Sequence, residues 1–195
     1  MKTWFKNLKR GAQSAVVFAL IASMSIGAYA AVSFLWGKAH ERTSLTPKDF
    51  VKVELSGATA TGSVSPGENV ALSPAITNNG SVDTSAFIQI EMPAVEGTAA
   101  YTFESDSGWT MVDESTTGNI STQIWAYGVE GNLESLSPGS STSPLMANGI
   151  TMRSDITGVQ FADMNDVNID VYGYLVDYTV GTDPETVWNM IPGNE

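Results

Sequence analysis

The chain of 195 residues has no cysteine and one histidine, His40. Without thiols, neither a disulfide framework nor a thiolate zinc site can form. A zinc protease needs two histidines one helical turn apart with a glutamate between them, and here His40-Glu41-Arg42-Thr43 runs into Ser44. A Ser-His-Asp triad is left with the same lone histidine, and no G-x-S-x-G elbow is present. Basic residues are also few. Of nine Lys and Arg, four (Lys2, Lys6, Lys9, Arg10) precede the first apolar stretch, and after Lys52 only Arg153 remains. All 21 acidic residues lie beyond Ala30, so a chain starting at Ala31 sets five basic residues against 21 acidic ones, a net charge of −16. That argues against nucleic acid or an anionic membrane surface as partner, since both require clustered Lys and Arg. Strong helix formers are sparse beside Gly, Ser, Thr and Asn, the balance expected of many short strands joined by tight turns.

The carboxylates form no recognisable site. Asp113 and Glu114 are adjacent, so on a strand they point to opposite faces and make no acid/base pair. Asp166, Asn168 and Asp170 have the spacing that opens a calcium loop. The sixth position then holds Val171 instead of glycine, and the twelfth holds Asp177 instead of glutamate. Trp109, Trp125, Tyr127, Tyr172 and Tyr174 fit either a packed core or a sugar-binding face. No catalytic residue, metal ligand or cofactor is expected, and the protein reads as a non-enzyme.

The N-terminus carries a targeting pattern. A basic start, Met1–Arg10, leads into uncharged Gly11–Gly37 with its apolar heart at Ala15–Ile26 and an A-x-A site at Ala28-Tyr29-Ala30 before Ala31. This is the layout of a secretory signal peptide over 1–30. The uncharged run is also long enough to span a bilayer, so an uncleaved anchor is the other reading and the only contact with membrane expected. Residues 31–49 form an N-terminal extension in which Val32 and Phe34 are apolar, and 50–195 form one folded domain.

Along that domain, period-two alternation predicts strands. Phe50–Leu55 sets Val51, Val53 and Leu55 against Lys52 and Glu54. Val70–Ile76 and Ala86–Met92 flank Asn78-Asn79-Gly80-Ser81, which reads as a tight hairpin turn. Further strands are predicted near Ala99–Phe103, Trp109–Val112, Ile120–Val129 and Gly149–Arg153. In Val167–Tyr178, Leu175 falls on one face and Tyr174 and Val176 on the other. Asp183 and Pro184 are suited to cap and begin a short C-terminal helix that Trp188 and Met190 dock on the sheet. The fold class expected is all-β: an antiparallel jelly roll or β-sandwich, with an N-terminal signal helix and a short C-terminal helix.

The order of several short motifs resembles a known family. Gly27-Ala28-Tyr29-Ala30-Ala31-Val32-Ser33-Phe34 is followed by Ser65-Pro66-Gly67-Glu68 and Pro74-Ala75-Ile76-Thr77-Asn78-Asn79-Gly80. Then come Leu136-Ser137-Pro138-Gly139, Asn168-Ile169-Asp170-Val171-Tyr172-Gly173-Tyr174 and Pro184-Glu185-Thr186-Val187-Trp188. Together they resemble the TasA/camelysin group of Gram-positive exported proteins, which use a specialised signal peptidase. Leu35-Trp36-Gly37-Lys38 stands where members of that group commonly carry a short acidic stretch. The resemblance implies a jelly-roll subunit of an extracellular biofilm-matrix fibre, secreted and self-associating, in which the N-terminal strand of one subunit completes the sheet of the next. The donated strand would lie within Ala31–Leu55, with Val51, Val53 and Leu55, and then Val32 and Phe34, as the inserted side chains. Other matrix proteins or polysaccharide are further partners on this reading. The alternatives are a monomeric cell-surface immunoglobulin-like binding domain and, at odds with Ser44, a camelysin-type metalloprotease.

Overall fold

A computed structural model describes residues 36–39 as backbone, together with 51–60, 63–129, 131–164 and 168–191. The chain divides into two units, 1–35 and 36–195, and the second is the one described. In chain order it contains β1 (Trp36–Ala39), β2 (Val53–Ser56), β3 (Asn69–Val70), β4 (Ala75–Asn78), β5 (Thr84–Val95) and β6 (Thr98–Ala99). There follow β7 (Tyr101–Thr102), β8 (Trp109–Thr117), β9 (Ile120–Val129), β10 (Asn132–Leu133) and β11 (Ile150–Met152). Helix α1 (Gly158–Asp163), β12 (Asp170–Asp177) and helix α2 (Pro184–Asn189) complete it. The architecture is all-β and antiparallel.

The main sheet has the order β1-β12-β5-β9, with β8 on β9 and the short β6 and β10 extending β5 and β9. Twelve-residue β5 is its axis. It pairs β12 from Thr84↔Asp177 to Glu91↔Asp170, and β9 from Phe87↔Ala126 to Pro93↔Ile120. The ladder to β12 ends two residues before Pro93, which has no N–H to donate; its carbonyl accepts the Ala100 N–H instead. A three-stranded sheet, β3-β11-β7, and the pair β2-β4 are the other sheets.

Alternation along β5 and β12 divides the core in two. Ala86, Ile88, Ile90, Met92 and Leu175 face inward and pack with Leu72, Ile76, Leu145, Met146, Ile150 and Met152. Phe87, Tyr174 and Val176 face the other way, with Ile124 and Ala126 from β9, under Val187, Trp188 and Ile191. Helix α2 begins where Asp183 accepts the Thr186 N–H and Pro184 takes the first turn. Trp188 docks as expected, but Met190 is 49% exposed and Val187 and Ile191 are the residues that join Trp188. At i+3 and i+4 from Val187 a helix offers both Met190 and Ile191 to one side, so spacing alone does not choose between them.

One predicted hairpin is absent. β4 and β5 do not pair: β4 belongs with β2, and β5 with β12 and β9. The chain passes from one sheet to another across 79–83 because Asn78 is buried and fully satisfied there. Its Nδ2 donates to the Val82 and Leu136 carbonyls at 2.8 Å each, and its Oδ1 accepts the Gly80 N–H at 2.9 Å. The two-residue turns of the main sheet lie elsewhere. Glu96 and Gly97 both hold positive φ (54° and 75°) between Val95 and Thr98, the requirement of a type I′ turn. Gly118, with φ 61°, and Asn119 close the β8–β9 hairpin.

Candidate assembly surface

The sheet has two rims of different construction. At one, β1 lies antiparallel on β12 from Trp36↔Val176 to Ala39↔Gly173. At the other, β8 pairs only β9 among the described residues. A bulge at Val112 interrupts that ladder between Met111 and Asp113, and Asp113 and Glu114 follow it. Bulges and charges are the usual means by which an open edge discourages further strands. The stretch beyond them, Ser115-Thr116-Thr117, is exposed and uncharged.

The residues expected to be handed to a neighbour are engaged at home. Val51 is buried in the inner core, and Val53 and Leu55 pack against it. β2 holds Val53 and Leu55 by its ladder on β4, Val53↔Asn78 to Ser56↔Ala75. Gly173 on β12 leaves the room they use: a side chain there would meet Leu55 Cδ1 at 3.3 Å and Ile76 at 3.4 Å. Ala28, Tyr29, Ala30 and Ala31 of the cleavage region, Val32 and Phe34 of the extension, His40 and Asp166 lie outside the described residues. The structure therefore joins Val51, Val53 and Leu55 and does not bring them to either rim.

A groove of about 430 Å³ opens at the end of β5, between the β8–β9 turn and α1. Met92, Pro93, Ala94, Val95, Ile120 and Met164 provide apolar lining, and Glu91, Glu96, Asp163 and Asp170 provide carboxylates. Two of those carboxylates are held in place. The Tyr174 hydroxyl donates to Gln89 Oε1 at 2.9 Å, and Gln89 Nε2 donates to Glu91 Oε1 at 2.6 Å. Gln160 Nε2 donates to Glu96 Oε1 at 2.8 Å. Burial, with the charge of Glu91 added, pushes the Tyr174 phenol up to about 12. Tyr172 is raised by the same two causes and by Asp170.

Sequence reasoning missed this groove because it missed α1. The signal was present: Thr157-x-x-Gln160 is a capping box, with the Gln160 N–H donating to the Thr157 hydroxyl and the Thr157 N–H donating to Gln160 Oε1. Of the aromatic residues, Trp109 is buried in the inner core and Trp125 and Tyr127 pack against it; Tyr174 is buried in the outer cluster, where Tyr172 packs against it. Among the described residues no three His, Cys, Asp or Glu side chains are grouped so as to hold a metal, and no helix is long and apolar enough to cross a membrane. No family model, curated protein or solved structure matches the chain.

Proposed function

We propose that the chain is a secreted structural subunit of an extracellular matrix fibre, a jelly-roll domain that joins its neighbours by lending its N-terminal strand. The supporting observation is the position of β1. It forms the rim of the main sheet, held to β12 by a backbone ladder of four residue pairs. Eleven residues, 40–50, connect it to Val51, a length of chain that reaches at most about 40 Å when extended. A ladder made inside one chain can be made identically between two, which is the economy of strand exchange, and a head-to-tail exchange that does not close yields a filament. The strand to be lent is then β1 and its flanks, because Val51, Val53 and Leu55 are core residues of their own subunit.

Electron microscopy of the mature chain from Ala31, beside a variant lacking 31–50 with Val51 onward intact, tests this. Filaments in the first and their loss in a still-folded second are expected. Filaments that persist without 31–50 overturn the proposal.

The self-pairing of β2 on β4 favours the second reading, a monomeric cell-surface binding domain of immunoglobulin-like type. On that reading, light scattering after size exclusion gives one subunit mass at every concentration of the mature chain.

A further inference from the structure

Two Asn-Gly pairs occur in the chain, Asn79-Gly80 and Asn148-Gly149. This pairing is open to spontaneous loss of the side-chain amide, because glycine has no Cβ to keep its backbone nitrogen away from the asparagine carboxamide. Identical in sequence, the two pairs differ in how their reacting atoms are held. At the first, Asn79 Nδ2 donates to Glu54 Oε2, and the Gly80 N–H donates to Asn78 Oδ1 at 2.9 Å. At the second, Asn148 is exposed in the turn before β11. Neither its carboxamide nor the Gly149 N–H has a hydrogen-bond partner among the described residues. Asn148 serves the fold through its backbone carbonyl, which accepts from Asn69 Nδ2 at 3.1 Å, and Asn69 Nδ2 also donates to Thr151 Oγ1 at 3.0 Å.

We propose that Asn148 is a site of spontaneous modification, converted to aspartate and isoaspartate in the folded protein while Asn79 is protected. The Gly149 nitrogen gives its proton to solvent and bonds to Asn148 Cγ. The Cγ–Nδ2 bond then breaks, and Nδ2 leaves as ammonia with a proton taken from water. One water molecule opens the resulting imide ring. Attack at Cγ gives aspartate; attack at the backbone carbonyl carbon gives isoaspartate, in which the main chain runs through Cγ. The sum is one water consumed and one ammonia released, with no oxidation or reduction. At Asn79 two hydrogen bonds must break before the same attack can begin. The isoaspartate product carries a new negative charge and one extra methylene in the main chain, beside the carbonyl that Asn69 binds. It falls where the backbone fits closely: a Cβ at Gly149 would collide with the Val70 carbonyl oxygen. The β3–β11 ladder begins there and has only the pairs Ile150↔Val70 and Thr151↔Asn69, so the modified molecule loses its hold on β3 first. The assignment needs only the folded domain and is independent of the fibre reading.

The test is to age the folded mature chain at mildly alkaline pH and map its peptides. Cleavage after glutamate separates the sites, Asn79 between Glu68 and Glu91 and Asn148 between Glu134 and Glu185. Mass spectrometry reads the change from amide to acid, and methylation by an isoaspartyl methyltransferase reads the isoaspartate share. Asn148 is expected to convert about tenfold faster than Asn79, the factor that breaking one or two hydrogen bonds is worth. In urea the two rates are expected to converge, since the sequences at the reacting atoms are the same. Glu54→Ala is expected to speed conversion at Asn79 and leave Asn148 unchanged. In the aged molecules amide exchange is expected to rise over Ile150–Met152. Equal rates in the folded chain, faster conversion at Asn79, or a tenfold difference that persists in urea each overturns the proposal.

Discussion

On its inner face the main sheet is covered by residues from many parts of the chain: Leu72, Ile76, Leu145, Met146, Ile150 and Met152 all close on β5. On its outer face the cover is one C-terminal segment, with Val187, Trp188 and Ile191 set over Phe87, Ile124, Tyr174 and Val176. Trp188 holds that cover by two ring contacts, to Phe87 at 5.6 Å and edge-on to Tyr174 at 5.3 Å. Past the reach of α2 the same face becomes polar, through Gln89 and Glu91, and ends in the acidic groove. One face is therefore dedicated to folding. The other is divided between a local cover and a polar end lined by carboxylates.

The sharpest way to break this contrast is from the inside. Ile88 is fully buried at the middle of β5, so Ile88→Ala is expected to cost about 4 kcal/mol, read as a lowered urea midpoint for the whole domain. Trp188→Ala is expected to cost somewhat less, about 3 kcal/mol. Its signature differs: amides of β9 and β12 lose protection under the missing indole while those of β3 and β11 keep theirs. Equal loss of protection on both sides would mean that the two covers act as one. The smallest effect comes from Tyr174→Phe. The folded phenol titrates near 12, above its ordinary value of about 10. Its contribution is therefore complete below pH 10 and is lost as pH climbs through 12. Alkaline unfolding followed by tyrosine absorbance should be shallower in the variant, with Tyr127 and Tyr172, both also raised, accounting for what remains.

Legibility in the sequence followed the range of the interactions. Ile120–Val129 was delimited by alternation alone, and Trp125 and Tyr127 do part from Ile124 and Ala126 onto opposite faces. Helix α2 was legible because Asp183 and Pro184 act on the residues next to them. The hairpin at Asn79-Gly80 misled because turn propensity is local, whereas the conformation there is set by Asn78 reaching the Leu136 carbonyl 58 residues away. The open groove was illegible for a related reason: β5, the β8–β9 turn and α1 each bring one wall, and no single stretch carries the pattern of the whole.

Alternating apolar residues, abundant turn formers and a lack of helix formers determined by themselves that this chain is an antiparallel β protein, since burying one side of each strand has few other solutions. Which strands became neighbours, and that Val51, Val53 and Leu55 serve their own core while Glu91 and Asp170 stand opposed at the end of the β5–β12 ladder, was decided only by the tertiary structure. Period two tells each residue its face; the choice of partner strand depends on long-range register and on buried polar anchors such as Asn78, which no local pattern encodes.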